Sequence, residues 1–238
     1  MNTLEYHKMA RLEDLHWWFL TKRLFIASVF PRKLSDQTIL DIGAGSGGLT
    51  RWLSRYGRVV AVEQSHTGVT YLREKHINVI HNMIQKVKFQ PQSFDIVCAF
   101  DVLYHNKIRD ERIVLRQVMR WLKPGGYFCI TDCALPWLSG PHDVVMHARK
   151  RFTRPGLRCM LESEGFAVSR SSYMYFFVFP LVVLMRGLQH VYSFPSVSSV
   201  PVAINSLLIM ICAAESILLR YMNFPIGSSI IMVARKRV

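Results

Sequence analysis

Positions 39–48 read ILDIGAGSGG, an apolar run that reaches an acid and passes straight into spaced glycines. Gly43, Gly45 and Gly48 form a G-x-G-x-x-G pattern between the strand-like TILDIG (38–43) and the helix-like GGLTRWLSRYG (47–57), with Gly57 as the expected helix stop. Glycines at such a junction permit a tight turn and let a ligand approach the backbone. The helix N-terminus beyond them presents a positive dipole end. A strand–turn–helix of this kind belongs to a βαβ unit, and the following pattern repeats it. RVVAVEQ (58–64), NVIH (78–81), FDIVCAF (94–100) and YFCITDC (127–133) read as strands. HTGVTYLREKH (66–76) and RDERIVLRQVMRWLK (109–123), the latter stopped by PGG, read as helices. The alternation predicts an α/β fold, a doubly wound, mostly parallel sheet that binds ligands at the carboxyl ends of its strands.

Glu63 stands twenty residues after Gly43, at the end of the next strand. A carboxylate there can accept hydrogen bonds from both hydroxyls of a ribose. Two adenosine ligands fit this much, a dinucleotide and S-adenosylmethionine. Asp41 separates them: a carboxylate two residues before the first glycine braces the loop and faces an ammonium, which the methionine half of S-adenosylmethionine carries and NAD lacks. Simple capping of the loop by Asp41 is the plainer alternative.

With ILDIGAGSGG and Glu63, FDIVCAFDVLYH (94–105) and LKPGGYFCITD (122–132), the chain resembles the class I S-adenosylmethionine-dependent methyltransferases over about 38–133. HWWF (16–19) and HDVVMHARKRFTRPGL (142–157) resemble a bacterial small-molecule subgroup. The resemblance implies a Rossmann-like sheet of seven strands with the last antiparallel, its sixth and seventh at 167–179 and 228–236. It also implies S-adenosylmethionine as cofactor. Gly43, Ala44 and Gly45 would meet it with their backbone, and Asp41 would contact the methionyl amine. Glu63 would hold the ribose, Gln64 would lie by the adenine, and Phe100 would offer its carbonyl to the ammonium. Where many relatives place an aspartate on the adenine, this chain has Met83 beside Asn82. Met83 accepts hydrogen bonds only weakly, so Asn82 or a backbone carbonyl would substitute.

Methyl transfer to a hydroxyl needs a base, and His105 and His142 follow the fourth and fifth strands at the ligand-facing end. Asp143 is placed to orient a histidine, and His147 is a weaker base candidate. HWWF falls in a segment, 3–29, expected as one helix. Neighbours about 100° apart cannot all face one side, so some of these aromatics pack while Trp18 closes over the cofactor. Arg23 can reach the cofactor carboxylate. No zinc-like spacing links the five cysteines, and no metal is expected. Reduced cysteines and a polar N-terminus without a signal core suggest a cytoplasmic protein.

The net charge of +14 favours anionic partners. Its candidate patches are Arg109, Arg112, Arg116, Arg120 and Lys123 on one helix face, read as solvated, and Arg149, Lys150, Arg151, Arg154 and Arg158 near the substrate side. No RNA-binding module is present, so nucleic acid is not favoured. Residues 200–219 are long enough to span a bilayer, but Pro201, Asn205, Ser206, Glu215 and Ser216 interrupt them. They read instead as a helical cover: extra core, an acceptor pocket, a homodimer contact or a peripheral membrane surface. The expected organisation is an N-terminal helical lid (1–37), a methyltransferase core (38–180), an apolar helical insertion (181–225) and a last strand (226–238). The expected activity is methylation of a small, apolar acceptor, with oxygen favoured. An RNA methyltransferase, an inactive cofactor-binding partner protein and a dinucleotide oxidoreductase are the alternatives.

Overall fold

The structure is a computed structural model that describes residues 3–31, 36–189 and 200–237. Seven strands form one sheet: β1 (Gln37–Ile42), β2 (Gly57–Glu63), β3 (Val79–His81), β4 (Phe94–Phe100), β5 (Leu122–Cys133), β6 (Phe166–Met174) and β7 (Ser229–Lys236). Their order is β3-β2-β1-β4-β5-β7-β6, and only β7 runs antiparallel to its neighbours. The helices are α1 (Thr3–Leu12), α2 (Trp17–Val29), α3 (Gly48–Leu53), α4 (His66–Glu74), α5 (Glu111–Trp121), α6 (Pro141–Val145), α7 (Arg154–Ser163), α8 (Phe179–Gln189) and α9 (Val202–Leu218). The doubly wound, Rossmann-like architecture is the expected one. Its core unites Phe25 and Ile26 of α2 with sheet residues such as Leu40, Val97 and Ile130.

Three boundaries differ from the sequence reading. The expected helix 3–29 is two helices, because His16 caps α2 by accepting the Trp18 N–H at 3.3 Å. Gly57 does not end a helix but opens β2, where a Cβ would stand 2.1 Å from the Gln37 carbonyl oxygen. Its lack of a side chain allows that close pairing. The helix does end before PGG, at Trp121, but β5 begins at Leu122 rather than at Tyr127, with Gly125 at φ 73° inside a register shift against β4.

The apolar insertion stands between β6 and β7 as α8 and α9; its residues 190–199 lie outside the described ones. Asn205 of α9 accepts the Trp17 N–H at 2.8 Å and donates to the Leu15 carbonyl at 3.0 Å, clamping the α1–α2 turn. Glu215 is buried and accepts the N–H groups of Phe176 (2.8 Å) and Phe177 (3.0 Å). Among the described residues no helix is long and apolar enough to cross a membrane. All five cysteines are free.

Candidate functional site

The strand ends of β1, β2 and β4 open into a cavity of about 730 Å³ that runs from the glycine loop to α8 and α9. Gly43 takes φ 70°, and a Cβ there would press to 2.7 Å of Val102 Cγ2. Gly45 takes φ 61° with nothing within 4 Å of a would-be Cβ, so its bare backbone faces the cavity. Gly48 serves a different purpose. A Cβ there would meet Glu13 Oε2 at 2.6 Å, so this glycine makes room for a carboxylate of the N-terminal segment rather than for a ligand. Glu13 in turn accepts from Ser46 Oγ and pairs with Lys75.

Glu63 is buried beside the loop. Its Oε2 accepts the Gly45 N–H at 2.8 Å, while Oε1 accepts the Ser65 N–H (2.8 Å) and the Tyr6 hydroxyl (3.1 Å). Each carboxylate oxygen can accept two hydrogen bonds, so Oε2 retains a free site for a ligand hydroxyl. Asp41 is buried with its Oδ2 on Thr50 Oγ1 at 2.6 Å. Burial pushes it up to about 7, opposed by the Thr50 bond and reinforced by the charge of Glu63. It therefore braces α3 against the strand end, as the capping alternative holds, while still lining the cavity.

Residues 40–130 match a family described as the methyltransferase domain. The chain is 25% identical over 185 residues to a ubiquinone biosynthesis O-methyltransferase of Serratia proteamaculans, covering 64% of this chain and 76% of that protein. It is 28% identical over 124 residues to phosphoethanolamine N-methyltransferase 3 of Arabidopsis thaliana, covering 48% and 25%. Among solved structures, phosphoethanolamine N-methyltransferase 2 of Haemonchus contortus with S-adenosyl-L-methionine shares the fold, with TM-score 0.61, 22% identity, 91% of this chain and 52% of that one. The chain spans between a quarter and about half of the first curated relatives it matches.

Within the matched residues and the segment N-terminal to them, most of the expected site residues meet at one cavity. Asp41, Gly43, Ala44, Gly45, Glu63, Gln64, Asn82, Phe100, Trp18, Arg23 and His105 all line it. Met83 does not. It caps a 3-10 turn at Ile84–Lys86, and the buried Ile84 takes the apolar position on the cavity wall. Asn82 turns its Oδ1 to the Met83 N–H at 2.8 Å. Arg23 donates to the Glu13 carbonyl (2.9 Å) and pairs with Asp14 (2.8 Å), but its buried Nε has no hydrogen-bond partner among the described residues. The bare Gly45 backbone, the free acceptor site on Glu63 and this orphaned N–H fit the ribose and carboxylate of S-adenosylmethionine.

The histidines behave differently from the expectation of a base. His105 is stacked with His147 at 6.0 Å, and its Nδ1 accepts the Lys107 N–H at 3.2 Å. The proton of the neutral ring therefore sits on Nε2, which makes His105 a donor. Burial, together with nearby positive charge including His147 and Lys107, pushes its pKa down to about 4. His142 lies on α6, with its side chain outside the described residues. Its neighbour Asp143 has both its oxygens held by Arg151, at 2.8 and 2.7 Å, and meets no histidine among the described side chains.

Sequence reasoning missed a buried cation on the cavity wall. Lys22 of α2 is 4% exposed, pairs with Asp101 just past β4, and lies 5.2 Å from the Trp18 ring centroid. Burial pushes it down to about 8, against the pull of Cys133 and Asp132. Asp101 itself takes φ 58° and accepts from Thr131 Oγ1 at 3.1 Å. Ser228 Oγ, at the entry to β7, is a second buried orphan on the same wall. The basic patches are partly paired: Arg112 and Arg116 share Glu164, Arg149 and Lys150 share Glu111, and Arg158 binds Glu162.

Proposed function

We propose that this chain methylates a hydroxyl of a small, largely apolar acceptor, using S-adenosylmethionine. One observation carries the reading: a single cavity joins the ribose-type carboxylate Glu63 to an apolar wall from α8 and α9, with the Lys22–Asp101 pair lining it. The cofactor end is Gly43, Ala44 and Gly45 under the backbone, Glu63 on the ribose, Gln64, Asn82 and Ile84 around the adenine, and Asp41, the Phe100 carbonyl and Arg23 at the methionyl end. Trp18, stacked on Tyr175 at 4.3 Å, forms a rigid side wall. Leu181, Met185, Ile204 and Leu208 supply the apolar acceptor end.

Bound there, S-adenosylmethionine supplies a methyl on a sulfonium: the acceptor oxygen bonds to the methyl carbon as the carbon–sulfur bond breaks, its electron pair leaving with sulfur. The chain's own work is to align the acceptor and remove its proton. Alignment alone supplies about 7 kcal/mol or more. Lys22, with its lowered pKa, takes the proton, and Asp101 stabilises the ammonium that results. His105 donates from Nε2 to the acceptor, and His142 is the alternative base. The placement of HWWF beside the cavity supports the small-molecule subgroup.

The test is incubation with methyl-labelled cofactor and fractionated lysate. Label in an apolar product that organic solvent extracts, carried on oxygen as an O-methyl group, supports the proposal. Label in RNA overturns it, as does cofactor binding with no methyl transfer to any fraction.

A further inference from the structure

Between Phe177 and Met222 the sequence holds one acidic residue, Glu215, and that carboxylate is buried on backbone N–H groups. The outward side of α9 is therefore uncharged along its whole length. Ala203, Leu207, Met210, Ala214 and Ile217 recur at three- and four-residue steps on one face. Leu207, Met210 and Ile217 are 52%, 62% and 54% exposed. Leu184 and Leu188 of α8 are exposed as well. A surface helix ordinarily turns its polar side outward, and a contiguous apolar surface marks an interaction site.

Charge selects the occupant. A second copy would bring +14 against +14. An anionic bilayer attracts the same charge, and nothing acidic on this face opposes it. The residues around the apolar face suit a bilayer boundary. Arg220 and Tyr221, both exposed, follow α9 directly. The exposed Trp137 packs edge-on against Phe179 of α8, ring centroids 6.0 Å apart. Aromatic and basic side chains of this kind settle at headgroup level.

We infer that the outer faces of α8 and α9 dock on an anionic membrane surface, with α9 lying in the plane of the interface. The inner sides of the same helices line the cavity through Leu181, Met185, Ile204 and Leu208. An acceptor dissolved in the bilayer thereby reaches the site without crossing water. That route rests on the methyltransferase reading; the docking itself does not.

The experiment is co-sedimentation of the full chain with vesicles of phosphatidylcholine, alone or with a one-third share of phosphatidylglycerol. The chain is expected to sediment with the anionic vesicles and to be released by salt. Brominated lipid is expected to quench a part of its fluorescence that the Trp137→Phe variant lacks. A combined Leu207→Ser, Met210→Ser and Ile217→Ser variant is expected to lose about 10- to 100-fold in vesicle partition while keeping its melting temperature and its calorimetric affinity for S-adenosylmethionine. Equal partition of variant and parent overturns the inference, and so does failure to sediment with anionic vesicles. A parent dimer that the variant splits into monomers also overturns it, and assigns the face to a second copy. Failure of the parent to methylate a detergent-dispersed acceptor would count against the methyltransferase reading alone, because the vesicle assay uses no cofactor.

Discussion

Glu63 holds three donors and keeps one acceptor site for a fourth. Its loss therefore removes a ribose contact and frees the Gly45 loop together. Glu63→Ala is expected to weaken S-adenosylmethionine binding by about 10- to 100-fold, the value of a hydrogen bond to a charged group, read by calorimetry. Gly45→Ala makes a complementary case. The Cβ meets no protein atom but occupies ligand space at a left-handed φ. Binding should fall at least as far, while stability drops by only about 1–2 kcal/mol. Lys22 gives the reaction its pH dependence. A base must be unprotonated, so turnover is expected to rise with pH through about 8. Lys22→Arg keeps the charge opposite Asp101 but cannot take up a proton. It should lower kcat by about 100-fold or more and abolish that rise.

Among the elements, β4, β5 and β7 were legible because their apolar, β-branched runs are bounded by helix patterns and glycines. The break between α1 and α2 was not. It depends on His16 capping α2 and on Asn205, 188 residues away, holding the Trp17 N–H. The first is local but uses a histidine, outside the usual cap residues, and the second leaves no local signal. The same holds for α6, which is fastened by the buried ion pair of Asp143 and Arg151 and by the bond from Arg151 to the Ala134 carbonyl at 2.9 Å. Burial pushes Asp143 up, but the Arg151 bonds outweigh it and hold the carboxyl below its ordinary range. A carboxylate so held adds stability above its unfolded pKa of about 3.9 and loses it as pH falls through the lower folded value. Arg151→Met strands that carboxylate and is expected to cost about 3–5 kcal/mol at neutral pH by urea unfolding. The deficit should shrink in acid as the unpaired carboxyl, which burial pushes up, takes up a proton.

For the whole molecule, the glycine loop and Glu63 could be placed from sequence because their spacing is set by one βαβ unit. Lys22 could not, because a lysine on an amphipathic helix reads as surface until Asp101 is brought to it from the far side of β4. The stripe on α5 keeps half-exposed arginines, as a solvated face should, while the carboxylates that partly pair the basic patches, Glu164 and Glu111, reach them from other elements and had no sequence signal. Cofactor bound at the assembled site stabilises the entire fold by mass action. At 100 times its Kd it adds about 2.7 kcal/mol, which for a chain of this size is about 5–11 °C in Tm; NAD should add nothing, as scanning calorimetry would show. The buried Glu215 has a wider consequence. Residues 200–219 are the greasiest stretch of the chain, and this carboxylate at α9's inner face ties them to the backbone leaving β6. An acid within such a stretch weighs by a few kcal/mol against sideways passage into lipid during synthesis. One side chain thus both anchors the helix to its sheet and raises the cost of placing the segment in lipid.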